Sequence, residues 1–498
     1  MNPPPALALP QDFGDHFSPI VVKELRQGLR TRFFTYALTL FHTALILLLA
    51  CANLELSLEM MNSAFWVLTG IMLLVVLPLR GFDALHSEAK AGTLDMLALT
   101  SMPAQRILQG KWAAIYGQTL LVACSVLPYM VARYFFGGVE IAREALGLAS
   151  LVLGSGILSA ALLAFSSQAS LLLRLTLGVA LGFAALPLGF FTAGVVMSTE
   201  ADSLLMDFRD LSLWQQAGIV VLVLTLTVYS IWYLLAMGAS RIAPASENHS
   251  TRKRFAALVM LSLLTLAGVL HSLLTNDAEE LIWYFLPLLF LTMFTCMDVM
   301  TEEMPHFPTC VVGLQRLRNL SGIFYRLFLP GWASGVAFSM LLCLLTLAFT
   351  MAVILCRAGL MGDLDWDVPQ GITCFLAAPF LPVLIQVSKA NHFANWWVVQ
   401  IILLALGFGL VISGEVLDVD WLPGLSFVTP TTAHFGVQSI AYEYRDTVLV
   451  LSASLSGIWM LAALVYAWRF FPLYRELEDQ ALSLDKPPPP PAADVPAA

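Results

Sequence analysis

Long apolar runs alternate along this chain with short polar stretches. A run of about 20 apolar residues crosses the hydrocarbon core of a bilayer as a helix. Runs of that kind begin near residues 33, 63, 112, 143, 170, 215, 255, 280, 332, 371, 395 and 446. The pattern predicts an all-α polytopic membrane protein of about twelve transmembrane helices, with short loops and no sizeable soluble domain. The runs also pair in order. Starts at 33, 63, 112, 143, 170 and 215 are followed by starts at 255, 280, 332, 371, 395 and 446, at offsets of 217 to 231 residues. Such even offsets predict two copies of one six-helix unit. Six is an even number of crossings, so the two halves are expected to be parallel repeats. The best local match sets "WAAIYGQTLL" at 112 against "WASGVAFSMLL" at 332.

The polar stretches set the expected boundaries: an N-terminal tail at 1–17, a first half at 18–240, a linker at 241–254, a second half at 255–474 and a Pro-rich tail at 475–498. "MNPPPALALP" has no basic first region, and its prolines break any apolar core, so it is not expected to act as a signal peptide. "KPPPPPAADVPAA" reads as extended chain.

Composition agrees with the pattern. The chain is 59% hydrophobic and 12% charged, with a mean hydropathy of +0.80, against roughly 25% charged residues in soluble proteins. Charge adds an orientation. With the N-terminus in the cytoplasm, only Arg133, Arg143, Arg209, Arg357 and Arg445 of the 25 Lys and Arg fall outside. That asymmetry sets topology, so both termini and the 241–254 linker are expected to be cytoplasmic. The outside loops hold 19 of the 34 acids, which explains the net charge of −9 and leaves no reason to expect a nucleic-acid partner. The seven cysteines contain no CxxC and no metal-ligand spacing, so they read as apolar packing residues.

"SPIVVKELRQGLRTRFF", 18–34, stands just before the first apolar run. On a helix, Val21, Val22, Leu25 and Leu29 share one side while Lys23, Arg26 and Arg30 share another. This predicts an amphipathic helix at the membrane surface with its cations toward anionic headgroups of the lipid bilayer. A second polar stretch, "HSEAKAGTLDMLALTSMPAQRILQGKW" at 86–112, reads as helix, break, helix. Leu94, Leu97 and Leu99 fall roughly on one side, Thr100 and Ser101 can cap, and Pro103 suits the first turn of a new helix.

Together these two stretches resemble the permease subunit of an ATP-binding-cassette (ABC) transporter of the type-2 export class, here in a fused double-length form. Such permeases open with a basic elbow helix, matched here by Lys23, Glu24, Arg26 and Arg30. Their first cytoplasmic loop carries the pattern of Glu88, Gly92, Thr93, Leu94, Leu97, Thr100, Pro103, Gly110 and Lys111. The correspondence covers about residues 18–190. The resemblance implies export or flipping of a substrate across the cell (inner) membrane, driven by a separate ABC ATPase subunit that acts as a dimer. It assigns Glu88, Gly92, Thr93, Leu94, Asp95, Leu97 and Pro103 to an ATPase-docking loop. The corresponding stretch of the second half, at 299–331, keeps Glu302 and Glu303 but lacks Gly-Thr-Leu, so that half departs from the pattern.

The remaining chemistry is sparse. No GxxxxGK[ST] occurs, so nothing here cradles nucleotide phosphates. No cofactor is expected in this chain, ATP being bound by the partner, and the chain is not expected to be an enzyme. Ionisable residues within spans are functional candidates. His42 is the candidate path residue, while Arg174 and His271 lie near span ends. Pro128, Pro187, Pro287, Pro379 and Pro382 predict kinked interior helices. Ser150/Gly154 and Gly156/Ala160 have the small-xxx-small spacing that lets helices approach closely. An ion-coupled secondary transporter is the alternative, and it would need mid-membrane charges for coupling. An intramembrane enzyme would need polar residues converging at one depth.

Overall fold

Inside lipid no water bonds to the backbone, so each spanning segment must satisfy its own N–H and C=O groups. Every regular element among the described residues is accordingly a helix. The structure, a computed structural model, describes residues 19–50, 58–82, 84–90, 103–136, 141–166, 212–244, 246–275, 282–312, 324–361, 367–385, 392–417, 419, 423–430, 432 and 442–484. Among them, nine helices are long and apolar enough to cross a membrane, and two shorter apolar helices accompany these. The chain is an all-α, multi-pass membrane protein. The run expected near 170, with Arg174 and Pro187, lies outside the described residues.

Two units divide the chain, Met1–Ala243 and Pro244–Ala498. The first runs α1 (Pro19–Leu29), α2 (Arg32–Ala50), α3 (Leu58–Gly70), α4 (Ala84–Lys90), α5 (Ala104–Phe136), α6 (Ile141–Phe165) and α7 (Leu213–Ile242). Its centre is α6, which packs against α5, α7 and the span that continues α3. Small residues allow this. Gly154, Ser155, Gly156, Ser159 and Ala160 are all buried along α6. At Gly156 an added β-carbon would lie 3.1 Å from the Tyr116 ring, and its carbonyl accepts a 3.0 Å bond from Trp112 Nε1. Beyond α3 the helix widens over Ile71–Val76, where the Leu77 N–H reaches back to the Met72 carbonyl, and then tightens at Pro78–Gly81. Pro78 supplies the cause: it has no N–H to continue the ladder, and its ring crowds the preceding turn. A core of Phe34, Phe41 and Leu45 from α2, Phe65 and Trp66 from α3, and Val122 and Val126 from α5 fills the space between.

The second unit runs α8 (Ser250–Thr275), α9 (Ile282–Met300), the one-turn α10 (Thr309–Val312) and α11 (Phe324–Leu327), α12 (Trp332–Met361), α13 (Asp367–Ala377), the short α14 (Leu381–Leu384), α15 (His392–Leu417), α16 (Tyr442–Trp468) and α17 (Phe471–Leu484). Here α12 packs on α9, α13 and α16, and α13 packs on α16. In the first unit α5, α6 and α7 pack on one another in the same way. These are the third, fourth and sixth apolar runs of each half. Proline sits inside α5 at Pro128 and inside α9 at Pro287. Pro379 and Pro382 instead fall where α13 gives way to α14, and the Pro379 carbonyl is satisfied by Trp396 Nε1 at 2.9 Å.

Two boundaries differ from the sequence reading. The Pro-rich tail was expected to begin at 475, but α17 continues to Leu484. Phe471, Tyr474, Leu477 and Ala481 are buried on one face, a spacing of three and four residues that a helix places together. The 241–254 segment was expected to be a polar linker. In the structure α7 extends to Ile242, α8 starts at Ser250, and Lys253 and Arg254 are buried within α8.

Candidate functional site: ion-paired clusters at the helix ends

The amphipathic division of α1 falls where its sequence places it. Lys23, Arg26 and Arg30 are exposed, while Val21, Val22, Leu25 and Leu29 are partly buried. The helix lies along α5, and glycines set how near it comes. A β-carbon at Gly110 would lie 2.8 Å from Ile20, and one at Gly28 would clash with the Gln118 side chain. Gly28 is buried, and its carbonyl accepts bonds from Thr31 Oγ1 at 2.8 Å and Arg80 Nη2 at 3.3 Å, which closes the C-terminal end of α1.

Glu24 leaves the solvent face and pairs inward. Lys111, buried in α5, donates to Glu24 Oε1 at 3.1 Å and to Glu88 Oε1 at 2.7 Å. One ammonium therefore joins α1, α4 and α5. Of the residues assigned to a docking loop, Glu88 ends in this cluster and Pro103 stands exposed just before α5, its carbonyl accepting the Arg106 N–H at 2.9 Å. Gly92, Thr93, Leu94, Asp95 and Leu97 lie outside the described residues. His42 is half-buried in α2 and stacks on Tyr129 of α5, with ring centroids 5.5 Å apart. It is not part of a charged cluster. At the other end of α5, Arg133 pairs with Glu144 Oε2 at 2.6 Å and bonds Asn62 at 2.5 Å, with its guanidinium 4.0 Å from the Phe65 ring centre. Trp66 Nε1 also bonds Glu144, at 3.3 Å.

The second unit contains a larger cluster where α8 begins. Arg254, 0% exposed, donates to Glu302 at 2.7 Å, to the Leu327 and Gly331 carbonyls at 2.8 and 2.9 Å, and to Ser334 Oγ at 2.9 Å. Lys253 pairs with Asp298 at 2.7 Å and with Glu302 at 3.2 Å. Ser250 Oγ donates to Glu302 at 2.6 Å. From α17 the Tyr474 hydroxyl donates to the Pro330 carbonyl at 2.9 Å and accepts from the Ser334 N–H at 3.4 Å. Gly331 fits beneath it at φ +109°, where a β-carbon would meet the hydroxyl at 2.7 Å. That backbone conformation strongly favours glycine. In the sequence Glu302 stands out only as an acid that the second loop retains. Its role depends on Arg254 and Lys253, which look like ordinary linker charges until the fold gathers them.

These ties hold helix ends together. Among the described residues no group of His, Cys, Asp and Glu could hold a metal ion. Burial alone would raise the Glu302 carboxyl, but the Arg254 and Lys253 charges and the Ser250 bond outweigh it and hold the pKa at about 2, against an ordinary 4.5. A carboxylate whose pKa is lowered by folding stabilises the fold fully above its unfolded value and loses that contribution as pH falls toward the folded value. The stabilisation from Glu302 is therefore expected to be complete above pH 4.5 and to fade toward pH 2. Thermal unfolding of the full chain in detergent checks this. Glu302→Gln should unfold well below wild type at neutral pH, and the gap should narrow steadily between pH 4.5 and pH 2.

No family model, curated protein or solved structure matches this chain. The fold and the helix-end clusters define a class, that of multi-pass helical membrane proteins.

Proposed function

We propose that this chain is the membrane-spanning permease subunit of an ATP-driven transporter of the ABC type-2 export class, exporting or flipping its substrate across the cell membrane. In this reading both termini face the cytoplasm, and ATP is bound and split by a separate ATPase subunit acting as a dimer. The observation that carries the reading is Lys111. It links α1 to Glu88 at the entry of the 86–112 loop, so a push on that loop reaches α1 and α5 together. Ion-paired, packed elements of this kind can carry coupling from a docking surface to the spans.

The second unit supports a division of labour. Its loop after α9 is held by Glu302, and α17 lies over α10 with Tyr474 near Met304 and Pro330. With the described parts of that loop engaged by their own unit, docking of the ATPase falls to the first unit. The buried charges also fit this reading better than ion coupling. Arg133 with Glu144, and Lys253 with Asp298, pair at the ends of their helices, whereas a coupling ion would need its charges near mid-membrane.

Because the chain has no phosphate loop, the purified chain alone is expected not to turn over ATP. Hydrolysis coupled to transport should appear in vesicles only when the separate ATPase is added. Turnover by the isolated chain, abolished by a substitution within it, would overturn the reading.

A further inference from the structure

We propose that the outer face of α1 is a seat for an anionic phospholipid, its phosphate held by Lys23, Arg26 and Arg30. This inference rests on the membrane-spanning fold alone and does not depend on the transporter reading. Four observations converge on it. Spacings of three and four residues put the three cations on one stripe of α1, all exposed, and they line a concavity of ≈ 790 Å³ together with Pro19, Val22, Gln27 and Thr31. The stripe is also held in place from behind. Gly110 and Gly28 let α1 lie against α5, Lys111 holds Glu24, and Arg80 closes the end at Gly28. A fixed set of cations loses less freedom on binding an anion than a flexible tail does.

The third observation is an apolar track that follows the charges along the chain. Thr31 is the turn into α2, and beyond it α2 exposes Phe33 (52%), Tyr36 (71%) and Leu40 (73%). Their spacing of three and four residues places them on one helical face. A cationic stripe followed along the chain, across Thr31, by an exposed apolar track fits an amphiphile with an anionic head and acyl chains. A small soluble phosphate ester would use only the first part. The fourth observation is sign. Glu24, the acid within α1, is turned away and paired with Lys111, and among the described residues no carboxylate lines the concavity.

The test uses the full chain, purified in a neutral detergent. Lipid retention is read by native mass spectrometry during titration with phosphatidylglycerol or phosphatidylcholine. Basic residues near an anionic surface each strengthen binding roughly five-fold. The triple variant Lys23→Gln/Arg26→Gln/Arg30→Gln is therefore expected to lose phosphatidylglycerol binding by on the order of a hundred-fold. Its thermal unfolding should stay close to wild type, since all three side chains are exposed. Arg32→Gln removes a nearby exposed cation that does not line the concavity, and it should lose no more than the roughly five-fold of one general charge. Inorganic phosphate at millimolar concentration should not displace the lipid. Equal retention of both lipids by wild type would overturn the proposal, because it would show no preference for an anionic head. Displacement by inorganic phosphate would overturn it in favour of a soluble anion. An Arg32→Gln loss as large as that of the triple variant would show diffuse attraction and no seat.

Discussion

Arg254→Ala is expected to remove a large share of the stability of the second unit. The guanidinium is fully buried and satisfies Glu302, two backbone carbonyls and the Ser334 hydroxyl, beside the Phe338 ring at 5.7 Å. Truncation leaves Glu302 with Lys253 as its remaining cation and strands the other acceptors away from water. Removing one partner of a buried pair costs roughly 3–5 kcal/mol, a large share of the ~5–15 kcal/mol that typically holds a domain together. Arg254→Lys keeps the charge but loses the planar fork that reaches several acceptors at once, so it should recover only part of the loss. Tyr474→Phe should be milder, because it removes one hydroxyl and keeps the ring packed. Thermal unfolding of the full chain in detergent should rank the variants wild type, Tyr474→Phe, Arg254→Lys, Arg254→Ala. An Arg254→Ala midpoint equal to wild type would mean that the cluster does not bear on the fold.

That cluster also marks where sequence reasoning stops. Spanning helices are legible because lipid demands long apolar runs, and α5, α6, α7, α12 and α16 fall on runs read directly from the chain. The face of α1 was legible for the same reason: periodicity separates Lys23, Arg26 and Arg30 from Leu25 and Leu29. Ion pairs between distant segments leave no such signal. Lys253 and Arg254 follow a polar stretch and look solvated, and only the folded chain brings Asp298 and Glu302 to them. Lys111 was visible as one residue of a pattern, but its link to Glu24 could not be inferred from local spacing across 87 residues. The missed helix α17 is a different case. Phe471, Tyr474, Leu477 and Ala481 carry a helical repeat, but the charges among them and the prolines beyond masked it.

The second large effect concerns Leu94 and Leu97, which lie outside the described residues but inside the loop that begins at the Glu88–Lys111 tie. In the proposed permease the loop supplies the apolar contact to the ATPase, and its rim is polar. Truncating a central apolar contact of an interface costs roughly 2 kcal/mol or more, and each 1.4 kcal/mol is about a factor of ten in affinity. Leu94→Ala with Leu97→Ala is therefore expected to weaken the ATPase by on the order of a thousand-fold if the losses add. Neither residue lies in a predicted span, so insertion and thermal stability should be preserved. Glu303→Ala, an exposed change in the second unit's loop, should leave binding intact.

Affinity purification of the tagged chain, with the co-purifying phosphate-loop ATPase quantified, tests the central claim most directly. The account predicts a stoichiometric ATPase with wild type and with Glu303→Ala, and its loss with Leu94→Ala/Leu97→Ala. Full retention by the double variant, with transport still coupled to ATP, or no ATPase with wild type, would contradict it.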